Sequence, residues 1–370
     1  MTEGGAVRSC ECVMHVVTDF SSAEGAQTML ARLLRLSTGK RVVVVSLLGV
    51  SDRMRKLADN PEVTYHALGM ASPLQMPRAL AKLSALVRAE RPDAMLCWMY
   101  HAMALGAIAG RVTGTPFYWT IRQSLEDTAA FTRSTKAALS ACRLMSRWPR
   151  GIIYNSTRSK ALHLEYGYDN ANSIVIPNGF DLPGTPAPTP PATARVFGIA
   201  GRLHPQKDHP TFFKAAALAG RDFPHLRFCV AGKGMTADNP EVQSMMEAAG
   251  ARAEQFELLG ELSDMAAFYR RIDALVLSSR TEGFPNVVAE AMSHGRPVVT
   301  TDVGDAAQIV GDTGVVCPPK DPEALAAGIA QFAGASAEDY CQKAQAALRR
   351  IEQTYSLPMI FKDYHSFLES

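Results

Sequence analysis

The chain has 370 residues and a mass of 40.0 kDa, with 47% hydrophobic and 20% charged residues. That is ordinary globular composition, which leaves no room for a disordered or collagen-like chain, and the length favours two domains over one. The formal net charge is only +2, so nucleic-acid binding through overall basicity is disfavoured and local charge has to be counted.

In the first half, short apolar β-branched runs predict strands at Val13–Val17, Arg41–Leu47, Val63–His66, Met95–Trp98, Phe117–Trp119 and Gly151–Tyr154, with amphipathic helices between them. The proline-dense stretch Pro183–Pro191 loses amide donors repeatedly and restricts the residues before each ring, so it predicts a domain boundary. Beyond it strands are predicted at Val196–Ala200, Arg227–Ala231, Phe256–Leu258, Ala274–Leu277, Pro297–Thr300 and Gly314–Val316. Strands alternating with helices indicate an α/β fold with parallel sheets in each half. The uncharged stretch Ala94–Gly110 is too short to span a bilayer and predicts buried core. The first dozen residues lead into no signal-peptide hydrophobic region, so a cytoplasmic location is expected. Seven scattered cysteines favour a reducing compartment, and Cys10 and Cys12 have no partners at zinc-ligand spacing, so no metal is assigned.

Charge is unevenly divided. Residues 1–182 hold 21 basic and 14 acidic residues, a balance of +7, and the remainder hold 17 and 22, a balance of −5. The excess lies within residues 111–160, where helical spacing over 128–150 groups Arg133, Lys136, Arg143, Arg147 and Arg150 opposite Phe131, Ala138, Met145 and Trp148. A basic amphipathic helix of this kind fits a solvated outer face as well as it fits contact with an anionic membrane surface or a phosphorylated acceptor.

Two loops carry the chemistry. After the strand Ala274–Leu277 comes Thr281-Glu-Gly-Phe-Pro-Asn-Val-Val-Ala-Glu-Ala-Met-Ser-His-Gly295, in which Pro285 suits a helix start and Gly295 its left-handed stop. Glu290 is the sole acid in an otherwise apolar helix, and a buried carboxylate requires partners such as the two hydroxyls of a ribose. Glu282 lies in the loop at the carboxyl end of the strand, where open α/β sheets bind ligands. The bland alternative is that Glu282 complements the helix dipole and Glu290 meets an arginine. After Val196–Ala200, Gly201-Arg-Leu-His-Pro-Gln-Lys-Asp208 places Arg202 and Lys207 beside the start of a helix, a pairing suited to a diphosphate, although surface charges with Asp208 as N-cap would read the same.

Gly201-Arg-Leu with Lys207-Asp208, Glu282 with Glu290, and Val175-Ile-Pro-Asn-Gly-Phe-Asp181 occur in the order and spacing of the family 4 glycosyltransferases, which the chain resembles over nearly its full length. The resemblance implies two Rossmann-like domains facing each other across a cleft, the GT-B arrangement. An acceptor domain would cover 1–182, a linker 183–191 and a donor domain 192–355, with the tail 356–370 packing back on the first domain. It implies retention of anomeric configuration, with no cofactor or metal beyond the substrate, a nucleotide diphosphate sugar taken as UDP-linked. Arg202 and Lys207 would hold the diphosphate, Glu290 the ribose, and Glu282 the transferred sugar. Gly283, Phe284, Pro285, Asn286 and Val287 would bind the donor, with the amides at Phe284, Asn286 and Val287 facing sugar and phosphate, and Leu262 would meet the base. Ser22–Gln27 is similar to the family's glycine-containing first loop, with Glu24-Gly25 where a double glycine is usual, which puts Gly25 near the phosphates. The histidine common after the strand Phe117–Trp119 is replaced by Ile121-Arg122-Gln123-Ser124; Arg122 could stabilise a departing diphosphate but not act as a base, and His101 is another candidate.

The resulting expectation is a transferase that passes a sugar to a glycan or lipid-linked acceptor in surface polysaccharide or lipopolysaccharide assembly, at the inner face of the cytoplasmic membrane. The alternatives are a sugar-nucleotide epimerase or phosphorylase of similar fold, or a non-catalytic two-lobed sugar-binding protein. No recognition motif accompanies the basic segment, so nucleic acid is not an expected partner.

Overall fold

A computed structural model describes residues 10–126, 128, 129, 131–183 and 194–370, so the proline-dense stretch beyond Pro183 lies outside the described residues. The chain forms two compact units, one of residues up to Gly179 with Leu357–Ser370, the other Phe180–Ser356.

The first unit is built on seven parallel strands: β1 (Cys12–Val17), β2 (Arg41–Ser46), β3 (Thr64–Ala67), β4 (Ala94–Trp98), β5 (Phe117–Ile121), β6 (Ile152–Tyr154) and β7 (Ser173–Val175), in the order β3-β2-β1-β4-β5-β6-β7. Helices α1 (Gly25–Leu36), α2 (Asp52–Ala58), α3 (Met76–Glu90), α4 (Met99–Thr113), α5 (Arg133–Leu144) and α6 (Thr157–Glu165) connect them. β1, β4 and β5 are buried along their whole length, because crossover helices cover both faces of a parallel sheet, and their sequences are therefore apolar apart from His15 in β1 and Thr120 in β5. β7 is an additional strand. Its Ser-Ile-Val is too short to signal itself and is defined by pairing with β6.

The basic helix expected over 128–150 is shorter than its periodicity suggests. α5 stops at Leu144, where the Ser146 hydroxyl donates to the Arg143 carbonyl (2.8 Å) and accepts from the Asp169 amide (2.9 Å), and Pro149 follows. Arg147 and Arg150 lie in the turn beyond it, with Arg147 paired to Asp169, so the five cations do not share one helix face.

The second unit holds β8 (Val196–Ala200), β9 (Arg227–Ala231), β10 (Phe256–Gly260), β11 (Ala274–Leu277), β12 (Val298–Thr301) and β13 (Val315–Cys317), all parallel, in the order β10-β9-β8-β11-β12-β13. Its helices are α7 (His209–Asp222), α8 (Pro240–Ala249), α9 (Met265–Arg271), α10 (Asn286–Ser293), α11 (Ala306–Val310), α12 (Pro322–Ala333) and α13 (Ala337–Thr354). The chain leaves β8 toward β9 on one side and returns to β11 on the other. The carboxyl ends of β8 and β11 therefore flank a topological switch point, where the loops of an open α/β sheet diverge and leave room for a ligand.

The last helix, α14 (Leu357–Glu369), belongs to the first unit, in which it buries Leu357, Ile360, Tyr364 and Phe367. Tyr364 stacks on Trp98 with ring centroids 6.3 Å apart, and the Tyr118 hydroxyl donates to the Leu368 carbonyl at 3.3 Å.

Candidate functional site

At the switch point of the second unit, β8 ends at Ala200 and the chain turns through Gly201–Asp208 into α7. Asp208 adopts a left-handed conformation (φ 48°), and its fully buried carboxylate accepts from Thr211 Oγ1 (2.8 Å) and Arg280 Nη2 (2.8 Å). Burial alone would raise the pKa of this carboxyl, but the hydrogen bonds from Arg280 and Thr211 outweigh it and hold the group below its usual range. Asp208 therefore does more than begin α7: it fixes the bend that turns Lys207 back over Gly201, and it makes no side-chain cap to the helix.

The loop after β11 is tied to that bend. The Arg280 amide donates to the Gln206 carbonyl (2.8 Å), the Ser278 hydroxyl donates to the Lys207 carbonyl (2.8 Å), and Thr301 Oγ1 donates to the Ser279 carbonyl (2.7 Å). Lys207 Nζ lies 2.6 Å from Glu282 Oε1, which also accepts from Ser279 Oγ at 2.7 Å. Both charged side chains are three-quarters or more buried, at 25% and 14% exposure, so water screens their attraction only in part. Phe284 turns inward, stacked on Phe180 (6.0 Å) and edge-on to Tyr355 (5.9 Å), which anchors the loop by its side chain and leaves the backbone of 282–287 to do other work.

α10 follows with Pro285 at its N-cap. Glu290, one helical turn in, is half-buried, and its Oε2 accepts from the Tyr269 hydroxyl at 2.8 Å. Leu262 and Val287 are partly buried against the same apolar cluster that contains Phe284 and Val288. Arg202 is exposed and forms no hydrogen bond or ion pair among the described residues.

Two glycines outside the motifs read from the sequence are required by close approach. At Gly304 (φ 54°) a Cβ would lie 2.4 Å from the Gly283 carbonyl oxygen, and at Gly232 (φ 147°) one would lie 2.0 Å from that of Gly201. They let the loops after β12 and β9 run against the two site loops. Between Gly232 and Gly234 sits Lys233, an exposed cation whose carbonyl accepts from the Leu203 amide at 2.8 Å. A glycine pair around a lysine at a strand end was the available signal.

The remaining three residues singled out from the sequence lie in the first unit. Gly25 opens α1 and is exposed. His101, in the first turn of α4, is half-buried, and desolvation lowers its pKa despite a backbone hydrogen bond at Ser134. Arg122 is turned inward: Nη1 donates to the Tyr364 hydroxyl (2.7 Å) and the Ile176 carbonyl (3.3 Å), Nη2 bonds Asn178 Oδ1, and the guanidinium lies 5.7 Å from the Trp98 ring. It thus ties the Val175–Asn178 segment to α14.

The second unit brings Lys207 and Glu282 into contact at the switch point, with Glu290 one turn into the eight-residue helix that follows and Arg202 exposed on the loop after β8; cations and helix amides of this kind suit an anionic ligand, and carboxylates suit hydroxyls. Two family models match the chain: "Glycosyl transferase 4-like domain" over residues 24–179 and "Glycosyl transferases group 1" over residues 194–334. Among curated proteins, it is 31% identical over 168 residues to a glycogen synthase of Mycobacterium tuberculosis, covering 44% of this chain and 40% of that one. It is also 31% identical over 142 residues to the lipopolysaccharide core biosynthesis mannosyltransferase LpcC of Rhizobium leguminosarum bv. viciae, covering 37% and 40%. The chain thus spans about 40% of the length of these curated relatives. Among solved structures, Anabaena HepE in complex with UDP aligns with a TM-score of 0.80 at 20% identity, over 96% of this chain and 99% of the other. A glycosyltransferase from Rickettsia africae aligns with a TM-score of 0.79 at 16% identity, over 98% of each.

Proposed function

The chain belongs to the glycosyltransferases of GT-B fold, and from that premise we propose that it transfers a sugar from a nucleotide diphosphate sugar to a hydroxyl of a glycan or lipid-linked acceptor. The observation that carries the proposal is the Lys207–Glu282 contact of 2.6 Å at the switch point, with Glu290 on the next helix. In this reading Lys207, Arg202 and the α10 amides of Asn286 and Val287 take up the negative charge that develops on the leaving diphosphate. Such preorganised donors act most strongly where charge appears in the transition state. Glu282, on arrival of the donor, exchanges its bond to Lys207 for hydroxyls of the transferred sugar, while Glu290 holds the ribose. No resident cofactor is needed for this division of labour.

UDP is the proposed nucleotide, a choice supported by Anabaena HepE, which has been solved with UDP and with UDP-glucose. Retention of configuration and a role in surface polysaccharide or lipopolysaccharide assembly are part of the same proposal, the latter supported by the likeness to LpcC. So is residence in the cytoplasm with peripheral contact to an anionic membrane. Exposed Leu144 and Trp148 beside Arg143, Arg147 and Arg150 support that contact, and no helix among the described residues is long and apolar enough to cross a membrane. Co-sedimentation with vesicles that is indifferent to anionic lipid and to Arg143→Ala/Arg147→Ala would remove it.

The experiment for the activity is a thermal-shift screen of nucleotide sugars followed by a nucleotide-release assay with and without added glycans. A transferase releases nucleotide diphosphate in proportion to acceptor. Turnover without any acceptor hydroxyl would indicate an epimerase or phosphorylase instead, and a ligand recovered unchanged would indicate a binding protein.

A further inference from the structure

We propose that a cavity at the carboxyl end of β3 binds a phosphate ester, and that this is where the first unit holds a phosphate-bearing acceptor; the second clause rests on the proposed function and the first does not. The cavity, of about 380 Å3, lies where the loop after Ala67 enters α3, and Arg78 and Lys82 line it. It sits on the carboxyl side of the sheet, at the edge strand β3 rather than at the switch point between β1 and β4.

The charges there are arranged against the interests of the isolated fold. Arg78 and Lys82 are four residues apart on one helical face, a spacing at which like charges repel, and Arg78 lies in the first turn, where the helix dipole disfavours a cation. Neither cation pairs with a carboxylate among the described residues: no Asp or Glu occurs between Glu62 and Glu90, and the Lys82 ammonium has only the Leu68 carbonyl at 3.4 Å. The cavity wall is held in place independently of them, since Gln75 Oε1 accepts from the Ala71 amide at 2.7 Å and the Met70 amide donates to the Leu47 carbonyl at 2.8 Å. A guanidinium fork beside an ammonium supplies two positive charges with directed donors, matching a phosphate monoester of charge about −2 better than a single carboxylate. The turn that leads into α3 carries two large exposed apolar side chains next in sequence to the lining residue Gln75, Leu74 at 92% exposure and Met76 at 43%.

The exposed Leu144, Trp148 and Val112 cannot serve the same purpose. They lie just ahead of the amino ends of β5 and β6, at the opposite edge of the sheet.

Calorimetric titration of the full chain with hexyl phosphate, inorganic phosphate, hexanol and glucuronate tests the inference in four proteins: wild type, Arg78→Gln/Lys82→Gln, Leu74→Asp and Lys207→Ala. The first three sites are exposed, so these substitutions leave the core untouched. Hexyl phosphate is expected to bind wild type and Lys207→Ala alike and to lose about tenfold or more in the double variant, with hexanol inert. Hexyl phosphate that binds more tightly than inorganic phosphate, and is weakened by Leu74→Asp, identifies a lipid-borne ester. Equal binding of the two, insensitive to Leu74→Asp, identifies a soluble one. Binding that survives the double substitution, that disappears only in Lys207→Ala, or that glucuronate matches would overturn the proposal. Failure to detect sugar transfer with any acceptor would remove the proposed function and leave this binding result standing.

Discussion

Substituting alanine for Gly304 tests whether the loop bearing Glu282 is positioned by backbone packing from the strand beside it. Gly304 adopts φ 54°, a left-handed conformation that costs an alanine roughly 1 to 2 kcal/mol. Its Cβ would also lie 2.4 Å from the Gly283 carbonyl oxygen and 2.5 Å from that of Glu282. Ordinary contact requires about 1 Å more, so either the loop shifts or overpacking adds roughly 1 to 3 kcal/mol. The expected loss is therefore roughly 2 to 5 kcal/mol, unless the loop yields, in which case the hydrogen bond from the Asp305 amide to the Gly283 carbonyl (3.2 Å) is strained and Glu282 moves away from Lys207. Gly250 supplies the control, because its φ of 66° carries the same backbone cost but no atom lies within 4 Å of the place a Cβ would take. Urea unfolding of Gly250→Ala should show only about 1 to 2 kcal/mol of loss. Nucleotide-sugar binding should weaken in Gly304→Ala and stay unchanged in Gly250→Ala. Equal destabilisation in the two variants, with donor binding intact in both, would refute the claim that this contact shapes the site.

Three further outcomes are expected. Burial lowers the pKa of His163 to about 4, of His209 to about 4 and of His15 to about 3, whereas a free imidazole titrates near 6.5. The folded protein keeps them neutral, so their contribution to stability is complete above about pH 6.5 and is lost as pH falls toward 4, each adding roughly 1.4 kcal/mol per pH unit. Urea midpoints that do not change between pH 7.5 and 5 would contradict it. Arg122→Lys replaces a planar fork, which reaches Tyr364, Ile176 and Asn178 at once, by a single ammonium, and should destabilise the first unit by roughly 1 to 3 kcal/mol in thermal unfolding. Wild-type stability with lost turnover would instead place the guanidinium on substrate. Tyr269→Phe removes the hydroxyl that Glu290 accepts, and should cost about 1 kcal/mol in urea unfolding; no loss at all would mean that the bond is replaced by solvent.

The strands most legible in the sequence were those buried on both faces and stopped by small residues. β8, β9 and β11 have the bounds that their apolar runs predict, ended by Gly201, Gly232 and Ser278. β7 was illegible because three residues carry no periodicity, and only pairing with β6 makes them a strand. The basic helix reads longer in the sequence than it is in space, because helical spacing continues past Leu144 while the hydroxyl of Ser146 and the ring of Pro149 end it. At the candidate site the motif residues Lys207 and Glu282 were legible singly, but their contact spans 75 residues and follows from the strand order β8-β11, which local pattern does not encode. Their supports were not legible for the same reason. Asp208 reads as a helix cap until Arg280, from the other side of the switch point, is placed against it, and Tyr269 lies in a helix with no motif of its own.

Equilibrium binding of a UDP-sugar to wild type, Lys207→Ala and Glu290→Ala addresses the central claim most directly. The switch-point site predicts that each substitution weakens binding by about tenfold or more, since each removes a hydrogen bond to a charged group. Undiminished affinity in both variants would contradict it.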